Sequence, residues 1–325
     1  MSRRYLSEPR LGGYRFFPDP NVRWLGDVVR RWDGEGGVWL AILGVPFDGG
    51  TVSHRRGSRY APSRIREYLY SKTNYLVEHD SEIIEGVYDC GDVEVNIVDF
   101  HETMRRLAEV ADKVFRSAEN VLTFGGDHSL TYELIRAAKR ASGGDVGLIQ
   151  FDAHHDTRTG WGQHSGFWLR RLLDENVLKG VNVVQIGIRG SLYSRHYIEH
   201  VKNMGIRYIT VWDLRTKGLE QTTREIVRWM KGVESIYITF DIDALDQAYA
   251  PGTDHPSPGG MSSWEAIYMI YSFASSLNAR WLDIMEVSPP NDQQDQTTKL
   301  AAELANHYIH ARHKHKSLRT DHGIA

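Results

Sequence analysis

Seven short apolar, β-branched runs recur along the chain, most of them separated by helix-patterned stretches. This alternation limits the fold more than any other feature. The runs are VWLAILGV (38–45), NVLTF (120–124), DVGLIQF (145–151), VNVVQIGI (181–188), IRYITV (206–211), SIYITF (235–240) and RWLDIMEV (280–287). Residues 101–115, 129–141, 222–230, 263–277 and 297–313 repeat apolar side chains at helical spacing. Strands that are apolar almost throughout are buried on both faces, so the pattern predicts a parallel sheet sheathed by helices on both sides.

No linker or low-complexity segment divides the 325 residues. One domain over 37–316 is expected, with 1–36 an N-terminal extension packed on it and 317–325 a C-terminal tail. A net charge of −3 supplies no basic field for nucleic acid. Cys90 is the only cysteine, which excludes an intramolecular disulfide and a thiolate metal cluster and suits a reducing compartment. The start MSRRYLSEPRLGGYRFF lacks the apolar core of a signal peptide, and no run approaches a membrane span. A cytoplasmic protein with neither membrane nor nucleic-acid partners is expected.

In parallel α/β sheets, function gathers outside the carboxyl ends of the strands. Asp152, His154 and Asp156 follow DVGLIQF at i, i+2 and i+4, a spacing that in extended backbone puts them on one face and His155 on the other. Asp241 and Asp243 follow SIYITF, His128 lies in GGDHSL after NVLTF, and RWLDIMEV ends near Glu286. Singly, each has an ordinary reading: Asp127 or Ser129 caps a helix, and a strand-end aspartate bonds its own loop. Gathered at one sheet edge, however, the carboxylates repel one another unless a cation balances them. His128, Asp152, His154, Asp156, Asp241 and Asp243 form a sulfur-free oxygen and nitrogen set large enough for two divalent ions. Manganese suits it, with nickel, iron, cobalt or zinc as alternatives. Paired ions of this kind sit roughly 3.5–4 Å apart and activate water near neutral pH.

With these residues, the segments LGVPFDGG, GSRYAPSRIR, DCGDVEV, GGDHSL, FDAHHD, TFDIDALDQAYAPGT, PGGMS and EVSPPND run in order from about position 40 to the final helix. The chain in this respect resembles the ureohydrolase (arginase-like) family. The resemblance implies a three-layer α/β/α sandwich with a central, mostly parallel eight-stranded sheet. It implies two Mn2+ held by the six residues above, with Asp152 and Asp241 bridging, and a homo-oligomer, trimer or hexamer. The implied reaction is hydrolysis of a C–N bond at an amidine or guanidinium carbon. QFDAHHDTR, LRRLLDE and LDQAYAPG are most similar to the formimidoylglutamase branch, which implies N-formimidoyl-L-glutamate and water giving L-glutamate and formamide. The alternative is an agmatinase or other guanidino-compound ureohydrolase releasing urea.

Carried over from EVSPP, Glu286 is expected to anchor the amidine nitrogens, and His164 to shuttle a proton to the leaving amine. Arg158 and Arg189 are the candidate clamps for substrate carboxylates, whereas agmatine would call for acids instead. Two departures bear on substrate choice: Ser165-Gly166-Phe167-Trp168 where the family often has Gly-Thr-Pro, and Asp254-His255 where small uncharged residues are frequent. Trp161 and Trp168 are expected to line the pocket. The stretch HYIHARHKHK reads as a solvated helix end with favourable dipole placement. GVPFDGG is no phosphate loop, which disfavours a nucleotide-binding protein. All six ligand positions are filled, which disfavours an idle scaffold.

Overall fold

A computed structural model describes residues 4–8, 19–160 and 162–321, with side chains to residue 317. Nine strands form one sheet: β1 (Arg30–Arg31), β2 (Val38–Gly44), β3 (Val87–Asp92), β4 (Ala118–Phe124), β5 (Val146–Phe151), β6 (Val183–Ile188), β7 (Arg207–Thr210), β8 (Ser235–Asp241) and β9 (Trp281–Met285). Their order is β1-β3-β2-β4-β9-β8-β5-β6-β7, and every pairing is parallel. The ninth strand, beyond the eight expected, is the two-residue edge β1. It comes from the stretch assigned to the N-terminal extension.

Consecutive side chains of each strand enter opposite layers, as the apolar runs require. Leu40 and Ile42 join the core beneath the helices α1 (Ala61–Leu69), α7 (Leu219–Met230), α8 (Ser263–Ser276) and α9 (Gln296–Asp321). Ala41 and Leu43 join the core beneath α2 (Phe100–Ser117), α3 (Thr131–Ser142), α4 (Trp168–Asp174) and α5 (Arg195–Asn203). A further helix, α6 (Val211–Lys217), follows β7. Asp99 caps α2 by accepting from Glu102 N, and Ser262 with Glu265 forms a capping box on α8. Among the described residues no helix is long and apolar enough to cross a membrane.

Strand β3 and helices α1, α4, α5 and α6 are additions to the sequence-based expectation. Strand β3 escapes because it carries charge inside. Asp89 is fully buried, and Arg66 from α1 reaches it through Nε at 2.8 Å and Nη2 at 3.0 Å. Arg66 Nη1 also meets Asp92 at 2.5 Å, and the Tyr70 hydroxyl donates to Asp89. Burial opposes the Arg66 cation, but Asp89 and Asp92 outweigh it and hold its pKa above the ordinary value.

The C-terminal histidines correct another expectation. His307 and His310 are buried, with His310 Nδ1 2.9 Å from Ser81 Oγ, so this part of α9 is a packed face and not a solvated end. Helix α9 also runs through the expected boundary at 316, to Asp321. Cys90 is buried inside β3, as a small apolar residue would be.

Candidate metal and substrate site

Strands β4, β9, β8 and β5 are consecutive in the sheet, so their carboxyl ends bring the four polar clusters together. His128 follows a glycine pair whose second member has no room for a side chain: a Cβ on Gly126 would lie 1.6 Å from the Phe47 carbonyl oxygen. Asp241 ends β8, and Asp243 sits in the 3-10 turn Ile242–Ala244.

The expected alternation along 152–156 is only half of what happens. Strand β5 stops at Phe151, and Asp156 reaches the site because its own backbone turns left-handed (φ 50°). Glu286 is also left-handed (φ 63°). Each conformation is uncommon for a non-glycine residue and aims a carboxylate back over the sheet edge.

Two half-sites result. His128 Nδ1 lies 3.4, 3.3 and 3.1 Å from Oδ2 of Asp152, Asp156 and Asp241. His154 Nδ1 lies 3.3 Å from Asp152 Oδ1 and 3.0 Å from Asp243 Oδ2. Asp152 therefore gives one oxygen to each half, the geometry of a bridging carboxylate. Asp241 turns Oδ2 toward His128, and its Oδ1 accepts from Asp243 N at 2.9 Å. Ligand atoms of His128, Asp152 and Asp241, and separately of Asp152, His154 and Asp243, lie within 4.8 Å of one another, close enough to hold a metal ion.

The electrostatics show what this arrangement lacks. Burial, then the neighbouring carboxylates, push Asp156 and Asp241 well above the usual aspartate range. Burial also works against the His128 and His154 cations, yet the surrounding carboxylates raise both well above an ordinary imidazole. Asp152 is held low by these two histidines in spite of its burial. Crowded acids that take up protons, and imidazoles that keep them, mark a site short of positive charge. Carboxylate and imidazole donors without sulfur match hard or borderline divalent ions.

Buried polar chains hold these side chains from beneath. His128 Nε2 meets Thr239 Oγ1 at 2.8 Å, and Thr239 donates to Asp283, its neighbour in register on β9. Gln185 donates to Gln150 at 2.8 Å, and Gln150 to Asp152 Oδ2 at 2.8 Å; these glutamines pair in register across β6 and β5. His155 points the other way, as expected, with Nδ1 2.6 Å from Gln185 Oε1. Sequence reasoning passed over Thr239, Asp283, Gln150 and Gln185, although a polar residue inside an apolar run was the available signal.

A cavity of about 410 Å³ opens above the half-sites, lined among others by Arg158, His164, Tyr193, Asp254, His255 and Glu286. Glu286 Oε1 accepts from His128 N at 2.8 Å, while Oε2 is buried without a partner among the described residues. Burial, then Asp254 and Asp241, push its pKa well up. His164 Nδ1 accepts from Gly166 N at 3.2 Å, so a neutral ring carries its proton on Nε2. Burial, then the Arg158 cation, lowers its pKa. Arg158 stacks over Tyr193 at 4.9 Å and donates to the Leu192 carbonyl at 2.8 Å.

Two expected pocket residues lie elsewhere. Arg189 is no clamp for substrate: its guanidinium donates to the carbonyls of Asp243, Ala244, Leu245, Ser257 and Pro258, which pins the loop after β8. Trp168 lies below the cavity, donating from Nε1 to Asp156 Oδ2 at 2.6 Å. Trp161 falls outside the described residues.

Comparisons with known proteins agree with this geometry. The family model described as the arginase family matches residues 39–310. A formimidoylglutamase from Halalkalibacterium halodurans is 33% identical over 299 residues, covering 90% of this chain and 93% of that protein. The mitochondrial guanidino acid hydrolase of Homo sapiens is 38% identical over 273 residues, covering 82% and 76%. The crystal structure of formimidoylglutamase from Bacillus subtilis superposes with a TM-score of 0.86 at 30% identity, covering 93% of this chain and 94% of that one.

Proposed function

This chain belongs to the arginase family, and from that premise we propose that it is a binuclear metal-dependent hydrolase of N-formimidoyl-L-glutamate, yielding L-glutamate and formamide. The observation that carries the reaction class is Glu286 Oε2, a buried carboxylate oxygen without a partner on the wall of the cavity above the half-sites. A cationic amidine would satisfy it. The formimidoylglutamases from two bacteria, similar over nine-tenths of this chain, support the substrate.

The residues fit the metal by charge as well as by donor type. His128, Asp152, His154, Asp156, Asp241 and Asp243 would hold the two manganese ions, with Asp152 and Asp241 as the candidate shared ligands. When bound, the ions supply Lewis acidity and an activated water. Glu286 accepts N–H bonds from the amidinium and holds its planar carbon over the half-sites. Arg158 pairs with a carboxylate at the far end of the substrate. His164, through Nε2, delivers a proton to the departing amine nitrogen, and its lowered pKa makes the imidazolium a ready donor. In this reading the enzyme is cytoplasmic and assembles as a homo-oligomer, trimer or hexamer. Nickel is the first alternative metal to supply.

A second reading, a ureohydrolase of guanidino acids, is favoured by the 38% identity to the human guanidino acid hydrolase. The purified chain, supplied with manganese or nickel, should be assayed on formimidoyl-glutamate, agmatine, arginine, guanidinobutyrate and guanidine. Formamide from the first supports the proposal. Urea from a guanidino compound alone assigns the second reading.

A further inference from the structure

A long cationic side chain just past a buried ligand would ordinarily carry its charge out to water. Arg158 instead lines the cavity, and what keeps it there comes from the loop between β6 and α5. Its Nη2 donates to the Leu192 carbonyl at 2.8 Å, and its guanidinium carbon lies 4.9 Å from the centre of the Tyr193 ring. Nε and Nη1 carry no hydrogen bond among the described residues, so the seated guanidinium keeps donors for an anion. The Tyr193 hydroxyl has a different partner. It accepts from Asp156 N at 3.1 Å, and that amide has no other acceptor among the described residues. Asp156 is buried and left-handed (φ 50°), so its turn depends on being held. In the first turn of α5, the Tyr197 hydroxyl lies 3.3 Å from Thr159 Oγ1, and its ring meets Tyr193 edge-on at 5.9 Å. The loop that carries Tyr193 is itself anchored. Arg189 N donates to the Ala153 carbonyl at 3.2 Å and its guanidinium to loop carbonyls, and Gly190 then turns left-handed (φ 78°).

We infer that Tyr193 is a positioning residue with two separable roles: its hydroxyl holds Asp156 in place for metal, and its ring seats Arg158 for the substrate carboxylate. The inference rests on the hydrolase reading above and adds to it a residue that acts through two others. A buried amide without an acceptor is costly, and without the hydroxyl the left-handed turn at Asp156 loses the bond that favours it. The ring acts by other means. Its face attracts a cation, and a guanidinium stacked on it loses little of its capacity to pair with an anion through its edge. The chemistry of the side chain divides these roles: phenylalanine keeps the face and loses the hydroxyl, whereas methionine loses both.

The test uses the full chain and the variants Tyr193→Phe, Tyr193→Met, Arg158→Met and the double variant Tyr193→Met with Arg158→Met, each checked for wild-type melting. Tyr193→Phe should weaken manganese binding about tenfold, measured by competition with a fluorescent chelator. With manganese saturating, its affinity for L-glutamate by calorimetry should stay within about twofold of wild type. Tyr193→Met should lose metal affinity to the same extent. With manganese saturating, it should also raise KM for N-formimidoyl-L-glutamate about fivefold, and N-propylformamidine, which has no carboxylate, should shift by less than about twofold. L-Glutamate affinity should fall about as far. In the Arg158→Met background, Tyr193→Met should change neither quantity further. Wild-type manganese binding in Tyr193→Phe overturns the inference. So does a Tyr193→Met effect that persists in full without the Arg158 cation, because the ring would then touch substrate itself. If Arg158→Met alone leaves glutamate affinity unchanged, the clamp of the reading above fails and the role given to the ring is overturned with it. If the wild type yields urea and no formamide, the formimidoyl-glutamate reading fails on its own. The pair 4-guanidinobutyrate and agmatine then decides about Tyr193: selective loss on the acid sustains the inference, and equal loss overturns it.

Discussion

Two groups of carboxylates belong to the same sheet and differ in what balances them. Within β3, buried Asp89 and half-buried Asp92 are met by Arg66, which reaches them from α1. At the ends of β5 and β8, Asp152, Asp156, Asp241 and Asp243 face two histidines and, among the described residues, no arginine or lysine. The first group is complete as the chain folds. The second is complete only when something positive comes from outside. Burial of acids therefore does not by itself identify a functional site; a shortage of resident charge does.

The contrast breaks most visibly at Asp241. Asp241→Asn keeps the shape and the bond from Asp243 N but removes an anion from the deficient group. Activity should fall about a thousandfold or more, roughly 4 kcal/mol in the barrier, with bound metal dropping below two ions per chain by elemental analysis. Melting in chelator should stay level or rise, because a repelling charge has gone. A melting temperature that falls in chelator would mean that the chain itself balances Asp241.

Arg66→Ala should do the reverse. It leaves Asp89 buried and uncompensated, at a cost of about 3–5 kcal/mol, read by denaturant unfolding. Metal content per folded chain should not change. An unfolding midpoint like that of the wild type would dissolve the distinction drawn here.

These two clusters also differ in how readable they are from sequence. The deficient one announces itself, since DAHHD, TFDID and GGDHSL put ligand-type residues directly after apolar runs. The balanced one hides inside VYDCGD, where the charge spoils the apolar pattern that would have marked β3 as a strand. Its partner Arg66 sits in another element, and only the tertiary fold joins them. Arg189 failed as a clamp for the same reason: the sequence places an arginine near the pocket but cannot show that loop carbonyls take up its guanidinium. Asp156 was found through a spacing rule, yet it reaches the site by a left-handed turn that the spacing does not encode. His307 and His310 misled because a histidine-rich helix end resembles a solvated one until the segment carrying His79 and Ser81 is packed against it.

A smaller effect sharpens the picture within the deficient group. Trp168 donates to Asp156 Oδ2, so Trp168→Phe keeps an aromatic ring but frees that carboxylate to turn. Loss of such a supporting bond typically costs 10- to 100-fold in metal affinity, and about that is expected here. Competition with a fluorescent chelator would measure it. Only one of the two ions should weaken, because Asp156 serves the His128 half-site alone.

The histidines of α9 extend the comparison to a cluster whose balance depends on pH. His310 is buried with Nε2 unpartnered among the described residues, and burial, then the charges of His307, His313 and His79, hold its pKa down to about 3, against the pull of Glu303. Its folded pKa lies below the unfolded value near 6.5, so between these limits the unfolded chain binds the extra proton. Stability is then full above about pH 6.5 and lost as pH falls toward 3, amounting to roughly 2 kcal/mol at about pH 5. Glu303 acts in the same direction at lower pH. Burial opposes its charge, but His307 and Lys72 depress its pKa to about 2, so its contribution fades as pH drops below the ordinary glutamate range. His310→Phe removes the titrating ring from the packed face. Chemical denaturation of this variant between pH 7 and about pH 5 should show a flatter decline than the wild type. Parallel slopes for His310→Phe and wild type would place the acid sensitivity elsewhere in the fold.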